Sequence, residues 1–424
     1  VPRASRAIRP SGGPLKATIR LPGSKSFTHR ALVCAALAEG ETVLRGALSA
    51  EDTRLTAAAL TALGARVGLG PDEARVTGTA GRLARPSAPL QCGNSGTSIR
   101  LLTAVAALCR DGGEIILEGD EAMRRRPIGE LVRALGELGV AARSQEGFPP
   151  VRVAAQGIPG GRCGVDGSQS SQFVSAILLA SPYAASDVSV EVRGTLVSRP
   201  YVEMTLQTMA DFGVAARSEG RKFHIAAGQR YRSGDYMIEA DATNASYFLA
   251  AAAATGGRVR AVGLREGSLQ GDAAFLEALE QMGCPVRRGS DWAEVEGGEL
   301  HALDIDMGKM PDVVPTLAVL AALARGRSRL RNIRHLRLKE CDRLSALATE
   351  LKRCGVRVEE QPAELIIEGG GPHGAEIETY RDHRMAMSFA VLGLAVPGVV
   401  IKDPGCVAKS FPDFWDRFAG LYDD

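Results

Sequence analysis

One phrase recurs along this chain: an amphipathic helical run that ends in Gly and leads into a strand opening on a β-branched or small residue. It stands as ALTALGARV around Gly64, LVRALGELGV around Gly139 and TMADFGVAA around Gly213, then as LEALEQMGCPV around Gly283 and ATELKRCGVRV around Gly355. A glycine just past the last turn is the expected helix stop, because it takes the left-handed conformation there without a Cβ penalty. The last helical run, Phe414 to Gly420, is expected to close a sixth unit. A second set of Ala-rich helices interleaves with the first, expected over residues 26–37, 97–108, 172–179, 245–254, 313–323 and 384–394. Each leads through a short turn into a β-rich run such as TVLRG, EIILEG or VVIKD. The period is roughly 70 residues, longer than a solenoid repeat, so each unit reads as a small βαβαββ subdomain. Six units divided into two groups of three make two similar α/β domains. A chain of 424 residues suits two cores better than one.

The chemistry gathers at the starts of the Ala-rich helices. Before them lie Gly23-Ser24-Lys25, Asn94-Ser95-Gly96, Ser170-Ser171, Asp241 to Asn244, Pro311-Asp312 and Asp382-His383. At any one of these starts plain N-capping is the stronger reading, since Ser, Asn and Asp are favoured there for structural reasons alone. The balance shifts because so many of the starts also carry Lys, Arg, Gln or His. Helix N-termini present free N–H groups and a positive dipole end, so several of them aimed at one place would trap anions.

Composition removes other classes. A hydrophobic fraction of 45% and a charged fraction of 24% are those of a globular protein, and the net charge of +2 is uninformative. Two Trp and seven Tyr make stacking on nucleic acid a poor reading, and the basic residues form short motifs rather than a tail or stripe. The opening VPRASRAIRP has no apolar core and reads as no signal peptide, and a start at Val1 instead of Met suggests processing or an expression remnant. Apolar stretches such as Val313 to Ala324 are too short to span a bilayer. The eight cysteines (Cys34, Cys92, Cys109, Cys163, Cys284, Cys341, Cys354, Cys406) include no CxxC pair, and no His/Cys group has metal-ligand spacing. They read as small buried residues of a reducing compartment, which makes the cytoplasm the expected location.

The motifs themselves narrow the field. PGSKSFTHR, from Pro22 to Arg30, lacks the GxxxxGK[ST] spacing and is not a Walker A loop. CGNSGTSIR, from Cys92 to Arg100, has glycines that allow close backbone approach to a ligand. RRRPIGELV, from Arg124, taken alone is a solvated basic turn before a helix opened by Pro127. With these come GSQSSQF at Gly167, SRPYVEMT at Ser198, DATNASYFLAAAA at Asp241, MPDVVPT at Met310, LRLKECDRL at Leu336, YRDHRMAM at Tyr380 and DPGCVAKSFPDF at Asp403. Together, in this order, they resemble the EPSP synthase family of enolpyruvyl transferases along nearly the whole chain.

The resemblance implies a fold of two domains, each of three βαβαββ units in an inside-out α/β barrel, joined by two crossover segments. It places residues 1–21 with 242–424 in one domain and 22–241 in the other. The reaction it implies joins phosphoenolpyruvate to the 5-hydroxyl of shikimate 3-phosphate with loss of phosphate, and needs no metal or organic cofactor. By motif match, Lys25, Ser26, Arg30, Ser170, Ser171, Gln172, Ser198, Tyr201, Asp312, His335 and Lys339 hold shikimate 3-phosphate. Lys25, Asn94, Gly96, Thr97, Arg126, Gln172, Glu340, Arg343, His383, Arg384 and Lys409 surround phosphoenolpyruvate. Asp312 is the candidate acceptor of the hydroxyl proton, and Glu340, with Lys25 as partner, the candidate acid toward the methylene. The other reading of Asp312 and Glu340, as salt-bridge partners of Arg343 and Arg384, stays open. For His383 a structural cap and a ligand contact are equally open, and Cys341 reads as a packing variant rather than a nucleophile. Glyphosate is an expected inhibitor because Gly96 leaves the phosphoenolpyruvate site unobstructed, although Leu101 stands where some sensitive relatives have Pro. The expected protein is a monomer whose halves, held apart by uncompensated cations, close on anionic ligands. Nucleic acid and membrane partners are not expected. The rivals are UDP-N-acetylglucosamine enolpyruvyl transferase, which has Lys-Asn where this chain has Lys25-Ser26, and RNA 3′-terminal phosphate cyclase, which needs a nucleotide site.

Overall fold

A helix that is small and apolar on every face has no side to present to water, so it must be surrounded. The Ala-rich runs do this as the helices Lys25–Leu37, Gly96–Ala106, Ser171–Ala180, Ala242–Thr255, Val314–Leu323 and His383–Ala395, nearly every residue of which is buried. Their starts lie within three residues of the expected ones. The other helices, Glu51–Ala62, Gly129–Glu137, Pro200–Asp211, Phe275–Gln281 and Arg343–Arg353, bury one face only. The glycines after these five, Gly64, Gly139, Gly213, Gly283 and Gly355, all have positive φ, between 81° and 104°, as the stop signal requires. The sixth unit departs from expectation. Phe414–Ala419 runs on into a 3-10 turn at Gly420–Tyr422, and Gly420 has φ −62°, so it ends no helix in the left-handed way.

The computed structural model describes residues 4–422; Val1, on which the expected processing falls, lies outside them. The chain divides into two compact units, one joining the residues up to Pro22 to those from Glu239 on, the other being Gly23–Ile238, against expected breaks after Leu21 and after Asp241. Each unit has its own core of buried side chains.

In the Gly23–Ile238 unit one sheet shows the βαβαββ plan plainly. Gly161–Asp166 pairs parallel with Val188–Arg193, which pairs antiparallel with Lys222–Ile225, and that strand with Arg217–Glu219. Ser171–Ala180 supplies the crossover that a parallel pair needs. The sheet built from Leu90–Gln91, Glu114–Glu118, Phe148–Ala154 and Ala142–Gln145 repeats the plan. In the third sheet the parallel edge strand is Asp235–Met237, from the far end of the unit, beside Glu41–Arg45.

The other unit repeats the plan in Asp304–Asp306, Gly326–Arg331, Leu365–Gly369 and Arg357–Glu360. It takes an edge strand from the chain's start, Lys16–Arg20, parallel to Arg258–Val262. Its last sheet has three strands, Glu376–Ile377 parallel to Val400–Lys402, with Ser5–Ala7 antiparallel on the other side.

In two units a glycine closes the hairpin against the end of the buried helix. A Cβ at Gly78 would sit 2.2 Å from the Ala38 carbonyl oxygen, and one at Gly369 would sit 2.1 Å from that of Ala324 and 2.3 Å from that of Ala321. These contacts are with backbone, so the strand itself would have to move. Gly369→Ala is therefore expected to lower stability by about 1–3 kcal/mol. Gly136→Ala, in the open on Gly129–Glu137 with nothing within 4 Å of its Cβ, is expected to raise it by about 0.5–1 kcal/mol. Urea midpoints of the two variants test the pair.

Candidate active site

The buried helices place polar groups at their N-terminal ends, and five of the six are capped by a side chain just before them. Ser24 accepts from the Phe27 N–H, Ser95 from Ser98, Ser170 from Gln172, Asp241 from Asn244 and Asp382 from Arg384. Capping is thus real, and it leaves chemistry to spare: a serine hydroxyl that accepts a cap bond still has its own O–H to donate.

In the Gly23–Ile238 unit the candidate residues form a lattice of neutral and cationic donors. Thr97 Oγ1 accepts from Gln172 Nε2 at 2.9 Å, and Gln172 Oε1 accepts from Arg100 Nη1 at 2.6 Å. That chain of bonds ties Gly96–Ala106 to Ser171–Ala180. Arg126, nearly buried, donates from Nη1 to the Asn94 carbonyl and side-chain oxygens at 3.3 and 3.4 Å, while its Nε has no hydrogen-bond partner among the described residues. Gly96 leaves room for it, since a Cβ there would lie 2.6 Å from Arg126 Nη2 and displace the guanidinium. Lys25 Nζ pairs with the buried Asp52 at 3.1 Å. Arg30 is fully buried and spends most of its fork inside the protein, on Thr205 Oγ1, Ser175 Oγ and the carbonyls of Ser26 and Tyr201. Burial lowers its pKa to about 10. Ser198 is nearly buried and holds φ 53°, a left-handed conformation that a non-glycine residue adopts only where its surroundings impose it. Ser26 lies at the start of Lys25–Leu37, Ser170 and Ser171 at that of Ser171–Ala180, and Tyr201 at that of Pro200–Asp211.

The other unit gathers an ionic cluster. Asp312 pairs with Arg384 Nη2 at 2.8 Å, with Arg343 Nη1 at 3.1 Å and with Lys339 Nζ at 3.5 Å. Arg343, wholly buried, also meets Glu340 at 2.7 Å and Asp382 at 2.7 Å. The salt-bridge reading of Asp312 and Glu340 is therefore correct as geometry. The expected uncompensated cations are corrected here: Lys25, Lys339, Arg343 and Arg384 all face carboxylates. Among the candidate residues of this cluster, those that present side-chain surface are Lys339 at 24%, Asp312 at 16% and Glu340 at 9%, whereas Arg343 is at 1%. His383 is completely buried with Nδ1 3.8 Å from Asp382, and the helix cap is made by Asp382 rather than by His383. Lys409 is nearly buried in the turn Pro404–Lys409, which packs on His383–Ala395.

Burial would raise the Asp312 carboxyl, but Arg384, Lys339 and Arg343 outweigh it and hold it well below the usual carboxylate range. Asp272 goes the other way. Burial, then the Asp312 charge, lifts it to about 7, and Thr243 donates its hydroxyl to it. Burial and the neighbouring Asp382 push the Cys341 thiol up, so it is no thiolate and no nucleophile at neutral pH. Asp52, Asp272 and Asp382 were missed as site residues in the sequence. Asp382 had a signal, its place before His383 at a helix start, while Asp52 and Asp272 reach the clusters only through tertiary packing.

His335 is nearly buried, and its Nε2 has no hydrogen-bond partner among the described residues. Burial, helped by Lys339 and Arg343, depresses its pKa from 6.5 to about 4 against the pull of Asp312. The folded value lies below the unfolded one, so the neutral ring's contribution is whole above pH 6.5 and is lost as pH falls toward 4. The stability of the protein relative to a His335→Asn variant is expected to decline across that window. Urea midpoints that differ by the same amount throughout it would contradict the assignment.

A family model described as EPSP synthase (3-phosphoshikimate 1-carboxyvinyltransferase) matches residues 10–418. A 3-phosphoshikimate 1-carboxyvinyltransferase of Nostoc punctiforme is 48% identical over 411 residues, covering 96% of each chain. One of Pectobacterium carotovorum is 46% identical over 424 residues, again covering 96% of each. The crystal structure of EPSP synthase from Acinetobacter baumannii superposes with a TM-score of 0.81 at 28% identity, over 98% of both chains. An enolpyruvyl transferase from Streptomyces tendae shares the fold at a TM-score of 0.80 and 20% identity, over 99% of this chain and 98% of its own. The two-domain α/β architecture is that of the enolpyruvyl transferases, and the chain belongs to the EPSP synthase family.

Proposed function

We propose that this chain transfers the enolpyruvyl group of phosphoenolpyruvate to the 5-hydroxyl of shikimate 3-phosphate, forming 5-enolpyruvylshikimate 3-phosphate and inorganic phosphate. The observation that carries the reading is the Asp312 carboxylate held among Arg384, Arg343 and Lys339. With its pKa so far depressed, Asp312 is a weak base as it stands. Phosphate and carboxylate groups of the substrates compete for the same cations. As they draw those cations off, the charge around Asp312 becomes less positive and its proton affinity rises toward the range a general base needs. The base is thus armed by the substrates it acts on.

In this reading the 5-hydroxyl oxygen bonds to the enol carbon, its proton passes to Asp312, and Glu340, with Lys25 as partner, supplies a proton to the methylene. The tetrahedral adduct then breaks its carbon–oxygen bond to phosphate, and the new methyl group loses a proton to restore the double bond. Arg126, Arg343, Arg384 and Lys409 offset the charge that grows on the departing phosphate, with Asn94, Gly96, Thr97 and His383 around it. Ser170, Ser171, Ser198 and Lys339 take the shikimate phosphate, and hydroxyl donors beside a cation suit its oxygens. Ser26, Arg30, Gln172, Tyr201 and His335 orient its ring and carboxylate. UDP-N-acetylglucosamine is not favoured as acceptor, since the family and the curated relatives carry the shikimate name. Glyphosate inhibition, a cytoplasmic location and a monomeric state complete the proposal. Cysteines that are isolated and mostly buried suit a reducing compartment.

A coupled phosphate-release assay with each acceptor in turn tests the activity itself. Asp312→Ala is expected to slow single-turnover chemistry by about 10²–10⁴-fold, while affinity for shikimate 3-phosphate changes far less. The freed cations still bind anions, so a collapse of affinity with normal chemistry would overturn the role. Gly96→Ala forces the Arg126 guanidinium aside. It is expected to weaken glyphosate more than phosphoenolpyruvate, and equal inhibition of variant and wild type would sink that expectation.

A further inference from the structure

A cavity of about 1190 Å³ in the Gly23–Ile238 unit lies away from every motif residue discussed so far. It is lined by residues just past the C-terminal ends of the three buried helices: Glu39 after Lys25–Leu37, Leu108 after Gly96–Ala106 and Tyr183 after Ser171–Ala180. The motif residues sit at the opposite ends of those helices, which puts this cavity roughly 15–20 Å from them. Four arginines line it, Arg82, Arg110, Arg230 and Arg232, against two carboxylates, Glu39 and Asp111.

Several arginines on the sheet faces are matched to carboxylates, as Arg45 is to Asp235, Arg260 to Glu294 and Arg329 to Glu364, while others such as Arg66, Arg162 and Arg217 stand singly among the described residues. None of the four in the cavity has an ion-pair partner among the described residues. Nor are they consumed as helix caps. The last carbonyls of the helices already have donors: Ala36 from Thr79, Ala38 from the Ala80 N–H, Leu37 from the Tyr183 hydroxyl and Leu179 from the Tyr231 hydroxyl. Only Arg230 reaches such a carbonyl, that of Pro182 at 3.4 Å, and its guanidinium lies over the Tyr183 ring. Both tyrosine hydroxyls are spent inward, so the four guanidinium forks supply the cationic donors of the lining.

We propose that this cavity is a second anion site, separate from the enolpyruvyl transfer site, that takes a small polyphosphate anion such as inorganic pyrophosphate or the phosphate tail of a nucleotide. Planar forks bind phosphate oxygens in pairs, a concave wall with an excess of positive charge concentrates anions, and four cations against two carboxylates call for a ligand with more than one negative charge. The inference does not rest on the proposed reaction.

Calorimetric titration of the full chain with inorganic pyrophosphate tests it, on wild type, Lys25→Ala and the Arg110→Gln/Arg232→Gln double variant. The expected result is a component that survives in Lys25→Ala and weakens about tenfold or more in the double variant, with phosphate release from the two substrates unchanged in that variant. The single Arg82→Gln variant reads the same loss if the double variant does not fold. Nucleoside triphosphate in place of pyrophosphate distinguishes a nucleotide tail from a free polyphosphate. Absence of binding in Lys25→Ala, or equal binding in wild type and the arginine variants, would overturn the proposal.

Discussion

The wholly buried guanidinium of Arg343 is the constraint on which the ionic cluster depends. Taking a charge out of water is tolerated only when fixed partners replace the water, and Arg343 has three: Asp382, Glu340 and Asp312. Asp382 is itself fully buried and also caps the helix His383–Ala395, so one carboxylate sets both the arginine and the helix that carries Arg384. Arg384 and Arg343 then hold Asp312 from two sides. Removing one partner from such a set leaves an uncompensated buried charge, typically a loss of about 3–5 kcal/mol. The electrostatics of the cluster are therefore set by the fold rather than by solvent.

The Gly23–Ile238 unit solves a similar problem differently. Lys25 there meets the carboxylate of Asp52, but the other cations have neutral partners: Gln172 on Arg100, Asn94 on Arg126, and Thr205 and the Tyr201 carbonyl on Arg30. Neutral partners leave cationic charge in place, whereas the carboxylates of the other unit cancel it. The first arrangement leaves positive charge that attracts anions, and the second surrounds its cations with carboxylates.

Much of this was legible in the chain itself. Helices that are apolar all round, amphipathic helices with glycine stops and polar residues at helix starts are local patterns, and the elements appeared close to where those patterns put them. The ionic cluster was half legible. Asp312, Glu340, Arg343 and Arg384 stood in motifs, but whether the carboxylates were bases or salt-bridge partners was open, because both roles use the same residue types. Asp52 and Asp272 carried no local signal. Their importance comes from lying within a few ångströms of Lys25 and near Asp312, across sequence separations that no periodicity encodes.

The sequence by itself determined the repeating plan, the family and the identity of the charged groups, since each follows from short-range spacing or motif order. Tertiary structure alone decided their states of charge. A carboxyl lies far below its ordinary range at Asp312 and near neutrality at Asp272 because the first is ringed by three cations and the second is buried beside an anion. Proton affinity depends on what surrounds a group in space, and that is settled only when distant segments pack.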